Sequence, residues 1–257
     1  MIAAALGWVG AAAIGVSLGL FGSGGSILTV PVLIYLFGQD EKVAIAGSLA
    51  IVGSVALVGA LPYLRTRLID WRNVLLFGVP GMGGTYLGAW TSQFVPGIAQ
   101  LALFAVIMLI AAYMMLRSPN VANPASGRAI WKISLDGLLV GILTGLVGVG
   151  GGFLIVPALV LLGGLTMHRA VATSLVIIAL KSFSGFFKYV DVLAAQDRSL
   201  DWSVIGLVTA LGVAGSFAGK HLGTRVPQAA LRRGFSYFLI VMGLYILARS
   251  LPAALGF

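Results

Sequence analysis

The sequence predicts an all-α integral membrane protein made of two homologous repeats, and three observations carry that prediction. The 257 residues are 60% hydrophobic and only 9% charged, with a mean hydropathy of +1.07. Soluble domains carry about 25% charged residues, so this chain lacks the polar surface that a water-facing globule needs. Apolar stretches of the roughly 20 residues that cross a bilayer fill most of its length. The third observation is a duplication. Displacing residues 15–63 by 126 sets GVSLGLFGSGGSILTVPVL over GILTGLVGVGGGFLIVPAL without a gap. Gly15, Gly19, Gly22, Gly24, Gly25 and Pro31 then fall on Gly141, Gly145, Gly148, Gly150, Gly151 and Pro157. Ser48 falls on Ser174, Gly59 on Gly185 and Tyr63 on Tyr189. After a five-residue insertion the register resumes, with Asp70-Trp71 over Asp201-Trp202, Gly84 over Gly215, Gly88 over Gly219 and Pro96 over Pro227.

In chain order, apolar spans are expected at 4–37, 43–64, 73–94 and 98–116, within a first repeat of residues 1–117. Residues 118–132, SPNVANPASGRAIWK, are polar and rich in Pro, Asn and Ser, and read as a linker. The second repeat, 133–257, holds spans at 133–164, 170–187, 203–222 and 234–250. The first span of each repeat is too long for one ordinary crossing. Gly22-Ser23-Gly24-Gly25 interrupts one; Gly148 and Gly150-Gly151-Gly152 interrupt the other. Each is either one long broken helix or a re-entrant hairpin of two half-helices, followed by three transmembrane helices. Charge chooses between them. Eight simple crossings divide Lys and Arg nine to six, leaving out Lys181. Hairpins invert the second repeat and gather Arg65, Arg67, Arg72, Arg117, Arg128, Lys132, Arg169, Lys220, Arg225, Arg232 and Arg233 on one side. Only Lys42, Lys188, Arg198 and Arg249 then lie opposite. Eleven to four satisfies the positive-inside rule better, which favours an inverted repeat with both termini outside. The Asp-Trp pairs fit helix caps at the membrane interface, and Pro31 and Pro157 shape the second half-helix.

Several function classes drop out. The net charge of +9 sits in clusters between spans, as cytoplasmic loops collect Lys and Arg, so nucleic acid is not an expected partner. With no cysteine, thiol chemistry is excluded, and His168 and His221 lie too far apart in sequence to suggest a metal cluster. The seven acidic residues, Asp40, Glu41, Asp70, Asp136, Asp191, Asp197 and Asp201, fall in loops or at span ends. Paired carboxylates for acid–base work and a transmembrane proton relay are therefore both missing. GSGGSI lacks the strand–helix context of a dinucleotide site. No enzyme activity and no cofactor are expected. Nor is a cleavable leader, since no basic segment precedes the first span.

The candidate site is the pair of glycine-rich breaks. Non-helical backbone at membrane depth is tolerated where it is buried in protein or lines a cavity. Glycine allows the conformations required, and the N-terminus of the next half-helix offers free amides to an anion. Gly22, Gly24, Gly25, Gly148, Gly150, Gly151 and Gly152 supply that backbone. The competing role, close helix packing, weakens when the same kink appears twice, each followed six residues on by proline. Lys181 lies about ten residues from either end of VATSLVIIALKSFSGFFKYV, and its counterpart is Val55. A Lys near a helix centre costs roughly 2.5–3.5 kcal/mol to insert and usually has a partner or a function. An anionic solute would supply the counter-charge. Ser48, Thr173 and Ser174 begin the next helix of each repeat and could bond anion oxygens, or equally their own helix carbonyls. Ser54, Ser182 and Ser184 weigh less, and His168 is assigned nothing.

At these residues the chain resembles the TauE/SafE sulfite exporter family, also called the toluene-sulfonate uptake permease family. GLFGSGGSILTVPVL with AGSLA, and GLVGVGGGFLIVPAL with HRAVATSLVIIALKS, carry the resemblance over essentially the full length. It departs from a strict doubling at Ser26 against Gly152 and at Gly47 against Thr173, so the half-sites need not contact a ligand equally. The resemblance implies a multi-pass protein of the bacterial inner membrane that moves sulfite or an organosulfonate, and the two repeats suggest alternating access between them. A proton or sodium ion could be coupled, although no residue signature marks either. The competing reading is a membrane scaffold or assembly protein without transport.

Overall fold

A computed structural model describes residues 2–117, 129–148 and 152–255, and these are helical almost throughout. The first predicted span resolves into α1 (Ile2–Phe21) and α2 (Gly24–Tyr35), followed by α3 (Glu41–Leu64). The next span is one continuous helical stretch in three parts: α4 (Trp71–Asn73), a π-turn (Val74–Gly78) and α5 (Val79–Thr91). A 3₁₀ turn (Ser92–Phe94) leads to α6 (Gly97–Arg117). In the second half come α7 (Ile130–Val147), α8 (Gly152–Pro157) continued by a π-turn (Ala158–Leu162), α9 (Met167–Ala194), α10 (Trp202–Gly223) and α11 (Gln228–Leu255). Helix α7 thus takes in Ile130, Trp131 and Lys132 of the expected linker; residues 118–128 lie outside the described ones. Among the described residues, six helices are long and apolar enough to cross a membrane.

Helix α2 has 12 residues and spans about 18 Å at 1.5 Å per residue, too short for a hydrocarbon core of roughly 30 Å. It folds back on α1. A Cβ built on Gly25 would lie 2.5 Å from Ile14 O, one on Gly10 would meet Val32 and Leu36, and one on Gly7 would meet Phe37. Those pairings run antiparallel, so the first span is a hairpin.

The ends of these hairpins can be located. Arg198 contacts Asp40 at one end of the fold, and Arg169 lies 3.7 Å from Asp70 at the other. Helix α1 runs parallel to α10, which starts just after Arg198, and α2 ends just before Asp40. Helix α7 runs parallel to α5, which follows Asp70, and the π-turn after α8 ends just before Arg169. The first hairpin therefore enters and leaves at the Asp40 end, and the second at the Asp70 end.

Glycine makes the α1–α10 and α5–α7 seams possible, because small residues let helix backbones approach in a lipid environment that gives no hydrophobic drive between helices. Built Cβ atoms on Gly15, Gly19 and Gly219 would run into the backbone of Gly212, Ser216 and Val16, and those on Gly84, Gly88 and Gly145 into Leu138, Ile142 and Thr85. Helices α3 and α9 pack on each other at the centre and are mostly buried along their middles. One acidic residue departs from expectation. Asp136 sits in the second turn of α7 with one carboxylate oxygen buried, not at a span end.

Candidate functional site

Both breaks close the preceding helix in the same way. Gly22 (φ +70) and Gly148 (φ +71) adopt the left-handed conformation that favours glycine. Their N–H groups donate to Leu18 O at 2.7 Å and Thr144 O at 2.9 Å, residues one repeat apart. After the first break chain direction changes and the helix resumes at Gly24; beyond the second, α8 starts at Gly152.

Each break is braced from the other half. Ser174 Oγ lies 3.0 Å from Gly22 O and 2.9 Å from Val171 O. Ser48 Oγ lies 2.7 Å from Gly148 O and 2.8 Å from Ile45 O. A hydroxyl has one proton to donate, and each serine shares it between a carbonyl of the opposite break and the carbonyl three residues back in its own helix. These serines therefore hold the breaks in place. The breaks also meet: a Cβ on Gly152 would lie 2.8 Å from Ser23 Cβ and 2.9 Å from Ser23 Cα. The Ser23 hydroxyl at that junction is buried without a hydrogen-bond partner. Sequence reasoning passed over Ser23, although it stands between three glycines.

Gly25 packs on Ile14 and Leu18 inside its own hairpin, and Gly24 opens α2. Gly150 and Gly151 lie outside the described residues. Thr173 is not brought to the breaks; its Oγ1 accepts the Asp70 N–H at 3.0 Å. One residue from Ser174, it points about 100° around α9 and caps the start of the next helical stretch.

Lys181 is fully buried, and its Nζ has no hydrogen-bond partner. The Phe77 ring centroid lies 5.4 Å from the ammonium, and a Cβ on Gly81 would lie 3.0 Å from Lys181 Cε. The side chain thus runs between α9 and α5. It stands one turn along α9 from Ile178, whose Cδ1 would lie 2.8 Å from a Cβ on Gly152. Its counterpart Val55 faces Gly212, the counterpart of Gly81, in the same way. The duplicated frame holds an aliphatic residue at one position and a cation at the other. Ser182, next to Lys181, is a second buried hydroxyl without a partner. Among the described residues, no three His, Cys, Asp or Glu side chains cluster to hold a metal.

A model of the family described as "Sulfite exporter TauE/SafE" matches residues 7–246. The chain belongs to the TauE/SafE family. It is 30% identical, over 92% of both chains, to a probable membrane transporter protein of Xylella fastidiosa strain 9a5c. It is also similar to probable membrane transporter proteins of Methanocaldococcus jannaschii (27%, 91% of each chain) and Haemophilus influenzae (26%, 92% of this chain and 94% of the relative). No solved structure matches. The protein is a multi-pass membrane protein of a transporter family.

Proposed function

We propose that this protein is a secondary transporter of small anions, with sulfite or an organosulfonate as substrate, working by alternating access between two inverted repeats of the inner membrane. The observation that carries the reading is the meeting of two half-helix breaks at Ser23 and Gly152, with Lys181, whose buried ammonium has no hydrogen-bond partner, one turn along α9 from the Ile178 that packs on Gly152. Half-helix N-termini meeting at a repeat interface are where duplicated transporters hold anionic groups. An uncompensated cation in such a place costs several kcal/mol, which a bound anion offsets. The tetrahedral or pyramidal oxygens of a sulfur oxyanion match several donors converging from different directions: the amides opening α2 and α8, the Ser23 hydroxyl and the Lys181 ammonium.

Opposite entry points of the two hairpins support the inverted arrangement, with repeats at 1–117 and 133–257 around a linker. So does the reciprocal seam of α1 on α10 and α7 on α5. Alternating access then requires rearrangement at the breaks, where helical hydrogen bonding is already interrupted. Uptake of radiolabelled sulfite into proteoliposomes tests the reading with Lys181→Met. The substitution removes the charge while keeping an unbranched chain, so the expected outcome is loss of uptake with an unchanged or raised melting temperature. Normal uptake by the variant would remove Lys181 from the site.

A further inference from the structure

A buried polar network lies at the Asp40 end of the fold, apart from the groups assigned to the anion. Lys42 is only 7% exposed. Its ammonium donates to Ser92 O at 2.5 Å, Val95 O at 2.8 Å and Gln100 Oε1 at 3.0 Å. The other end of the same amide continues the chain: Gln100 Nε2 donates to Leu146 O at 2.7 Å. The Tyr189 hydroxyl donates to that carbonyl too, at 3.1 Å. Leu146 lies in the last turn of α7, two residues before Gly148, where helix carbonyls have no partner of their own. Donors from α6 and α9 thus converge on the carbonyl that leads into the second break, and Lys42 on α3 holds Gln100 in position. A Lys at a span end ordinarily snorkels to water. This one turns inward.

The duplication supplies an internal comparison. The repeat register sets His168 at the place of Lys42, Leu231 at Gln100, Tyr63 at Tyr189, Leu20 at Leu146 and Gly223 at Ser92. Leucine cannot donate, so the chain of bonds is cut at its middle. Among the described residues, no side chain donates to Leu20 O. His168 Nε2 lies 3.3 Å from Gly223 O, and a small cavity bordered by Leu20, Tyr63, His168, Gly223 and Leu231 takes the place of the network. The last turn of α7 is tied through three side chains, whereas the last turn of α1 lacks that tie and borders the cavity at Leu20.

We infer that Lys42, Gln100 and Tyr189 are positioning residues that pin the last turn of α7 up to Gly148, a restraint that the last turn of α1 lacks. This difference in rigidity stands independently of the transport reading.

Hydrogen exchange by mass spectrometry, on the full chain in nanodiscs without added solute, tests the inference. Amides in the last turn of α7 through Gly148 are expected to exchange at least about fivefold more slowly than those in the last turn of α1 through Gly22, fivefold being the worth of one ordinary hydrogen bond. Tyr189→Phe removes one donor and is expected to speed exchange in the α7 turn about fivefold, leaving the α1 turn unchanged. Lys42→Met is expected to speed the same turn, and Lys42→Arg, which keeps donors for the three oxygens, to restore its protection. Equal exchange at the two breaks in the unmodified protein would overturn the inference, as would a Tyr189→Phe variant that leaves the α7 turn as protected as before. Sulfite uptake by the unmodified protein is measured in parallel. Its absence would sink the transport reading, while the exchange pattern would still decide whether the second break is pinned.

Discussion

Replacing Gly22 with alanine separates the two demands that the first break makes on its glycine. The left-handed backbone at φ +70 costs an L-residue roughly 1–2 kcal/mol. The added Cβ would also lie 2.7 Å from both Ser174 Oγ and Val171 Cα. Since Val171 Cα is backbone of a buried helix, it cannot swing aside, and overpacking of this kind adds roughly 1–3 kcal/mol. Gly38 is the control. It has φ +66, yet nothing lies within 4 Å of its built Cβ, so Gly38→Ala carries only the backbone cost. Gly148→Ala should also melt below Gly38→Ala, because its φ is +71 and its Cβ would run into the buried, β-branched side chain of Ile45. At about 2–4 °C per kcal/mol for a chain of this size, Gly22→Ala should melt about 2–12 °C below Gly38→Ala. Tryptophan fluorescence during thermal unfolding of detergent-solubilised protein gives the comparison. Equal melting temperatures for the Gly22 and Gly38 variants would refute the close contact between the first break and α9.

Two further outcomes follow from the same geometry. Gly83 and Gly84 are adjacent in α5, but a Cβ on Gly83 meets nothing within 4 Å while one on Gly84 runs into Leu138 O; Gly83→Ala should be neutral or stabilising by up to about 1 kcal/mol, and Gly84→Ala should open the α5–α7 seam and lower the melting temperature by several degrees. Thr173→Val removes the acceptor for the Asp70 N–H and should cost about 1–3 kcal/mol of stability with little change in the sulfite concentration giving half-maximal uptake; a large rise in that concentration would return Thr173 to the site.

The membrane class, the duplicated register and the two kinks were all legible in the sequence. So was Lys181, since a lysine amid some twenty apolar residues is conspicuous without coordinates. The serines were harder. Ser48 and Ser174 begin helices in which a hydroxyl can serve a ligand or a neighbouring carbonyl, and only the tertiary structure brings Gly148 O and Gly22 O within hydrogen-bond reach of them. Thr173 looked equivalent to Ser174 because the two are adjacent, yet a helix separates neighbours by about 100° and sends them to different partners. Lys42 was read as a topology marker and Gln100 not at all. Their partners lie 46 to 53 residues away, at Ser92, Val95 and Leu146.

What the sequence determined alone is what local composition dictates: apolar length calls for lipid, paired glycines break a helix, and repeated spacing reveals a copied unit. Tertiary structure decided which atoms the breaks face. Each hairpin is completed by a serine of the opposite half, and the lysine enters the core through contacts with Gly81 and Phe77 on another helix. Such pairings join segments a hundred or more residues apart in the chain, and no local rule of periodicity or propensity encodes them.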